Sequence, residues 1–391
     1  MLNTPFSPWP SYTQEEADAT SRVLLSNKVN YWTGMEGREF EREFAKFVGC
    51  EHAIAVANGT LALDLAFQAL GVGEGDEVIV TPRTFLASVS SIVLSGATPV
   101  FADVDPESQN ITAETISAVL SDNTKAVVCV HLAGWPCDMD SIMELAKQHG
   151  LYVVEDCAQA HGATYKGKSV GSIGHIGAWS FCQDKIMSTG GEGGMVTTND
   201  RDLWKAMWSF KDHGKSWDAV YEREHPPGFR WLHESFGTNW RMTEMQSAIG
   251  RIQLRRMSEW NRLRLKSSER IWEAAANCRG IRVPTIPQYI HHAGYKCYVF
   301  VEVGKLKEGW NRDRIMNEIT ECGVPCFSGS CSEVYLEKAF DGTSFRPNGP
   351  LKVARELGET SLMFLVHPTL TEEEVSKTCE AIVAVMKRAQ S

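Results

Sequence analysis

Many marks of specialised protein classes are missing from this 391-residue chain. No stretch approaches the roughly 18 consecutive apolar residues of a membrane helix, so no membrane partner is expected. The opening MLNTPFSPWPSYTQEEAD is polar and proline-rich. It has no basic segment leading into an apolar one, so no signal peptide is expected. Internal repeats and low-complexity tracts are absent. Positive charge is in deficit, with 39 Lys and Arg against 49 Asp and Glu and a net charge of −10. A surface given over to nucleic acid is therefore not expected. The 11 cysteines include no CxxC pair. Cys129, Cys157 and Cys297 lie in apolar strand-like runs, the pattern of reduced, buried thiols in a cytoplasmic protein. Cys322, Cys326 and Cys331 cluster without a histidine at ligand spacing, so no metal site is expected.

What is present reads as a globular α/β chain. Hydrophobic residues make up 43% and charged residues 23%, which excludes a disordered, collagen-like or coiled-coil protein. The length calls for two units. From about residue 50 to 200, short β-rich runs alternate with helix-like stretches. The runs are DEVIV (76–80), TPVFADV (98–104), KAVVCVHL (125–132), LYVVED (151–156), AWSFC (178–182) and GMVTT (194–198). They are nearly continuous in hydrophobicity, as strands buried on both faces are, and predict an open, mainly parallel sheet. A long helical stretch follows over 242–276, then a strand at 297–303 and helices at 311–323 and 371–389. The expected division is a large α/β unit over 1–265, with an N-terminal arm, and a small α+β unit over 266–391.

The residues that carry chemistry lie along the same segments. Asp156 ends the strand LYVVED, where ligand crevices form in open α/β sheets; taken alone, such a residue reads first as a cap for the next turn. Lys185 precedes the glycine-rich turn STGGEGG. It is either a solvated lysine or an amine nucleophile held in a semi-enclosed site. Asn58-Gly59-Thr60 leads straight into an apolar helix, and that start is either an anion site or an ordinary N-cap. Ser180 adds a hydroxyl on the strand before Lys185. Phe85 is either core or a flat partner for an aromatic ring. Pyridoxal phosphate needs such a set: a lysine for its aldehyde, a carboxylate for its ring nitrogen and an anion site for its phosphate.

Four motifs, in order, extend the reading: AVANGTLALDLA, VIVTPRTFLASVSSIVLSGATPVFADVD, VVEDCAQAHGATYKGKSVGSIGHIGAWSFCQDKIMSTGGEGGMVTTND and FGTNWRMTEMQSAIGRIQL. They resemble successive motifs of the DegT/StrS-type nucleotide-sugar aminotransferases, fold-type I pyridoxal phosphate enzymes. The likeness runs from about Trp32 in YWTG to HPTLTEEE near the C-terminus. It implies that Lys185 is the Schiff-base lysine and Asp156 the partner of the pyridinium nitrogen. Gln159 contacts the ring hydroxyl, Gly59, Thr60 and Ser180 hold the phosphate, and Phe85 stacks on the ring. Asn239, in GTNWRM, reaches the cofactor phosphate of a neighbouring subunit, which implies a homodimer with shared active sites. His213 and Trp32 are expected on the substrate side. His161 is read as lining the pocket, with core packing as the alternative. The run SFCQDK departs from the more frequent SFFPTK-like pattern at Cys182, Gln183 and Asp184. Arg241 is read either as a subunit or carboxylate contact or as part of a salt bridge. Trp204, Trp208, Trp217, Trp231 and Trp240 are read as interface core or a nucleobase platform.

The resemblance implies a transaminase that moves an amino group from glutamate to a nucleotide-linked keto sugar. The expected acceptor is a 4-keto-6-deoxyhexose, with a 3-keto sugar as the alternative. A non-catalytic or regulatory cofactor-binding protein is a further alternative, and Lys185 argues against it. A dinucleotide-dependent oxidoreductase fits poorly: Gly71, Gly73 and Gly75 precede a strand instead of following one, and GxGxxG is absent.

Overall fold

The apolar runs form the strands of one seven-stranded sheet in the computed structural model, which describes residues 6–225, 227–228 and 230–390. In spatial order the strands are His52–Val56, Gly194–Thr198, Ile176–Ser180, Tyr152–Asp156, Thr124–Val130, Glu77–Val80 and Thr98–Phe101. The last five pair in parallel. Gly194–Thr198 runs antiparallel to both of its neighbours. Periodicity alone does not report that reversal, because a strand buried on both faces looks the same in either direction. The strand expected at 178–182 begins at Ile176 and ends at Ser180, where the chain turns toward the glycine-rich segment.

Both faces of the sheet are covered. On one face, Ile54, Val56, Val78, Val80 and Val128 pack with the helix Gly59–Ala69. On the other, Ile79, Val127, Cys129 and Val153 pack with the helix Met139–His149. That second helix stops where Gly150 takes a left-handed φ of 68°, a conformation that suits glycine.

The long helix is Glu244–Ala276, capped by a reciprocal Thr243–Gln246 box. It runs unbroken through 265/266, the expected division of the chain. Beyond it lies a four-stranded antiparallel sheet with the order Ile281–Arg282, Cys297–Val301, Ser361–Phe364, Cys326–Phe327. The helix Glu372–Ala389 covers it through Ile382 and Val385. Each of those side chains is fully buried and contributes about 1.5–3 kcal/mol of burial. No helix among the described residues is long and apolar enough to cross a membrane.

Candidate active site

The carboxyl ends of four strands converge on one cavity of about 960 Å³. His52–Val56 leads into the helix that starts at Gly59, and Glu77–Val80 leads to Thr84 and Phe85. Tyr152–Asp156 ends at Asp156, and Ile176–Ser180 ends at Ser180. Seven of the expected residues line it: Gly59, Thr60, Phe85, Asp156, Gln159, Ser180 and Lys185. Open sheets place ligands at this edge.

Asp156 sits at the floor. Its Oδ2 accepts the Ser88 hydroxyl at 2.7 Å and its Oδ1 accepts the Ala158 N–H at 3.1 Å. Burial pushes its carboxyl above the ordinary range, and the Ser88 bond and the Lys185 charge offset only part of that. The neighbouring Glu155 has a different fate. Its carboxylate accepts N–H groups from Gly171, Ile173 and Gly174, and bonds His131 Nε2 at 2.9 Å. His131 Nδ1 accepts the Cys137 N–H at 3.0 Å, so Nε2 carries the proton and donates to Glu155. Burial alone raises the Glu155 carboxyl, but these bonds overcome it and hold the group below its ordinary range. Glu155 is thus consumed in anchoring the strand, while Asp156 faces the cavity. His131, Glu155 and Cys157 bring potential metal-ligand atoms within 4.8 Å of one another, yet hydrogen bonds already saturate the carboxylate.

The helix start is built to take an anion. Asn58 uses its side chain to cap Leu61 N–H at 3.0 Å, which leaves the Gly59 and Thr60 amides without an intrahelical acceptor. A Cβ on Gly59 would lie 2.5 Å from Ser180 Cβ, so glycine alone lets the helix start meet the Ser180 hydroxyl. The N-cap reading of Asn58 is thus seen directly, and the cap leaves room beside it for an anion at Gly59 and Thr60. The Gln159 carbonyl oxygen accepts Ala133 N–H at 2.9 Å, so what Gln159 offers a ligand is its amide N–H group. Phe85 is 72% exposed on the cavity wall and free of the core.

Lys185 Nζ lies 3.3 Å from Asp184 Oδ2, which also accepts the Tyr295 hydroxyl at 2.7 Å. Burial raises the Asp184 carboxyl, but Lys185 and Tyr295 outweigh it and leave the group below its usual range. Tyr295 is held well above its ordinary range by burial and by Asp184, so it remains a hydroxyl donor.

The remaining expectations land elsewhere. His161 is fully buried between Trp179 and Phe181 at ring distances of 5.2 and 5.7 Å, and it does not line the cavity. The pocket-lining reading gives way to the core alternative, because Trp179 of the strand Ile176–Ser180 and Phe181 just after it pack against the ring. Trp32, His213 and Asn239 also lie outside this chain's own cavity lining. Trp32 Nε1 donates to Asp212 Oδ2 at 3.0 Å, while His213 and Asn239 are exposed. Arg241 pairs with Asp212 at 2.7 Å, so the salt-bridge reading holds for it. Trp208 is buried with Trp204 and Trp217 packed beside it, and Trp231 is 82% exposed.

Ser88, bonded to Asp156, and Tyr295, bonded to Asp184 beside Lys185, are neighbours of the candidate site that sequence reasoning missed. Ser88 carried a signal: a small hydroxyl residue three positions after Phe85, in the first turn of the helix Ala87–Leu94. Tyr295 carried none, since it lies in an irregular segment 110 residues after Lys185.

Comparison with known proteins agrees with this geometry. The DegT/DnrJ/EryC1/StrS aminotransferase family model matches residues 10–383. GDP-perosamine synthase of Caulobacter vibrioides is 38% identical over 367 residues, 91% of this chain and 92% of that one. UDP-N-acetyl-3-dehydro-alpha-D-glucosamine 3-aminotransferase of Acidithiobacillus ferrooxidans is 34% identical over 358 residues, 92% and 90% of the two chains. The X-ray structure of an aminotransferase from Psychrobacter cryohalolentis superposes with a TM-score of 0.96 at 66% identity, covering 98% of this chain and 99% of that one. With Lys185, the buried Asp156 and the helix start at Gly59 lining one cavity, and with the family model matching nearly its whole length, this chain belongs to the DegT/DnrJ/EryC1/StrS aminotransferase family.

Proposed function

We propose that this chain uses pyridoxal 5'-phosphate to move an amino group from glutamate to a nucleotide-linked 4-keto-6-deoxyhexose, in the biosynthesis of an amino sugar. The observation that carries the reading is the shared cavity itself. Lys185, Asp156 and the Gly59–Ser180 anion cradle line one space, and each is of the type that one part of this cofactor needs. What the cofactor supplies when bound is an electron sink for the bond broken at the amino carbon, and a carrier for the amine.

The chain's own residues do the rest. The Gly59 and Thr60 amides and the Ser180 hydroxyl bind the phosphate. The Asp156 carboxylate accepts the ring N–H and keeps that nitrogen protonated. Gln159 donates to the ring hydroxyl, and Phe85 covers a ring face. Lys185 Nζ, beside Asp184 in the same cavity, would hold the cofactor and would be the general base and acid that moves a proton at the α-carbon of glutamate and, in the other half, at the sugar carbon. Release of 2-oxoglutarate separates the two halves.

The charges in the cavity favour a homodimer with shared active sites. Its lining carries Asp156, Asp184, Glu192 and Glu337 against Lys185 and Lys296. A phosphate, a diphosphate and a dicarboxylate are poorly served by that balance. A second copy would add hydrogen-bond donors where charge is short: Asn239, exposed and outside its own cavity, reaches the partner's phosphate site with its neutral amide N–H. A cytoplasmic reaction is the reading that 11 cysteines without a disulfide support.

The C4 acceptor is supported by the perosamine relative, whose product is named for a 4-amino sugar. The Acidithiobacillus ferrooxidans relative supports a C3 acceptor as the second reading. A screen of nucleotide-linked 4-keto and 3-keto sugars with glutamate, read by mass spectrometry, separates them. Amination of the 4-keto set is expected; turnover confined to the 3-keto set overturns the C4 assignment.

A further inference from the structure

Residues 7–12 cross from the C-terminal helix to the loop that bears Lys185. Ser7 donates to the Glu374 carboxylate, its hydroxyl at 3.0 Å, and Thr369 donates to the Pro8 carbonyl at 2.8 Å. At the far end, Tyr12 donates to Ser188 Oγ at 2.9 Å, which accepts the Gly191 N–H at 3.3 Å. Between them, Trp9 Nε1 donates to the main-chain oxygen of Lys185 at 2.8 Å. Lys185 lies outside any helix or strand, so no ladder partner holds that carbonyl.

The face of the same indole is also used. The Arg264 guanidinium lies over it at 4.8 Å. Arg264 is 2% exposed, and its Nε and Nη2 have no hydrogen-bond partner among the described residues. The ring face is therefore a principal electrostatic partner for a buried cation. Trp260 meets the ring edge-on at 5.1 Å and His367 stacks on it at 6.0 Å. Only an indole offers a large π face and an N–H donor on one rigid frame.

We propose that Trp9 is a positioning residue for the reaction: its N–H fixes the backbone of Lys185, and its ring ties that point to the long helix through Arg264 and to the C-terminal segment through His367. The lysine amine is thereby presented to the cavity at one height. Such placement matters because errors of about 1 Å in a reacting group cost on the order of 100-fold in rate. The kinetic part of this inference rests on Lys185 being the cofactor-bearing residue; the structural part does not.

The test uses full-length, cofactor-loaded Trp9→Phe, which keeps a ring over Arg264 and removes the donor. Backbone hydrogen exchange read by mass spectrometry should rise about tenfold over 182–191, the effect of one lost hydrogen bond, and stay unchanged in the central sheet. Single-turnover reaction with glutamate should slow about tenfold or more at unchanged half-saturation. Unchanged exchange at 182–191 overturns the proposal, and so does a uniform rise across the chain, which would mark a merely structural role. Local loosening with an unaltered glutamate rate overturns the positioning role. If wild-type protein does not react with glutamate, the function proposed above fails, and the exchange pattern still decides whether Trp9 fixes the Lys185 loop.

Discussion

Gly59 and Ser180, 121 residues apart in sequence, approach so closely that one methyl group between them would sit 2.5 Å from the Ser180 Cβ and 2.9 Å from its hydroxyl oxygen. This contact joins the start of a helix to the end of a central strand and shapes the anion cradle. Gly59→Ala should therefore act on ligand binding before it acts on the fold. The expected result is at least a tenfold loss of pyridoxal phosphate affinity by equilibrium dialysis, with about 1–3 kcal/mol of stability lost to overpacking. Wild-type affinity in this variant would remove the helix start from the phosphate site.

Asp156→Asn should separate activity from stability. Burial raises the Asp156 pKa in the fold above its unfolded value of 3.8. Its contribution to the cofactor-free protein is thus full below the unfolded value and is lost as pH rises through the folded one. Ionising this buried carboxyl therefore counts against the cofactor-free fold. The amide variant should melt at or above the wild-type temperature without cofactor, yet lose on the order of 100-fold or more in turnover. A variant that loses stability at pH 8 while keeping its turnover contradicts both roles.

His161 makes a prediction in acid. Burial, then the charges of Lys185 and Arg264, depress its pKa from 6.5 to about 3. The fold keeps this ring neutral while the unfolded chain takes up a proton, so stability is lost as pH falls from 6.5 toward 3. At pH 5 that amounts to about 2 kcal/mol. His161→Leu should match wild type in turnover and resist acid better, as measured by urea unfolding at pH 7.5 and 5. Loss of turnover with stability intact would return His161 to the substrate site.

The shared site is tested by mixing. Lys185→Ala and Asn239→Ala homodimers should each be inactive or nearly so. Exchanged into heterodimers, they create one doubly damaged site and one intact site, so about half of the wild-type activity per heterodimer should return. No recovery, with heterodimers confirmed by native mass spectrometry, places Asn239 in its own chain's function.

Part of the cavity was legible in the sequence because its residues sit at element ends. Asp156 lies where a buried apolar run stops and Gly59 where an apolar helix begins, boundaries written in local pattern, whereas Ser180 was read inside the run 178–182 and only the structure makes it the strand end. Helix limits were equally readable where caps mark them, as at Thr243 and Gly150. Tyr295, Trp9 and the Ser88–Asp156 bond were not legible, since each depends on segments brought together by the tertiary fold. The reversal of Gly194–Thr198 was hidden for a related reason: pairing direction leaves no trace in a doubly buried strand. His161 was read as pocket-lining or core, and local pattern could not choose between the two; the aromatic pair Trp179 and Phe181, brought against it by the fold, encloses it.

The central claim is that Lys185 and Asp156 serve a two-step amino transfer. The most direct measurement follows the visible absorbance of the cofactor-loaded protein through both halves. Glutamate alone should bleach the lysine-bound band with stoichiometric release of 2-oxoglutarate. A nucleotide-linked 4-keto-6-deoxyhexose, added after glutamate is removed, should restore the band and yield one equivalent of amino sugar. Lys185→Ala should show neither change. An unaltered band in wild-type protein with glutamate, or bleaching that persists in Lys185→Ala, would contradict the account.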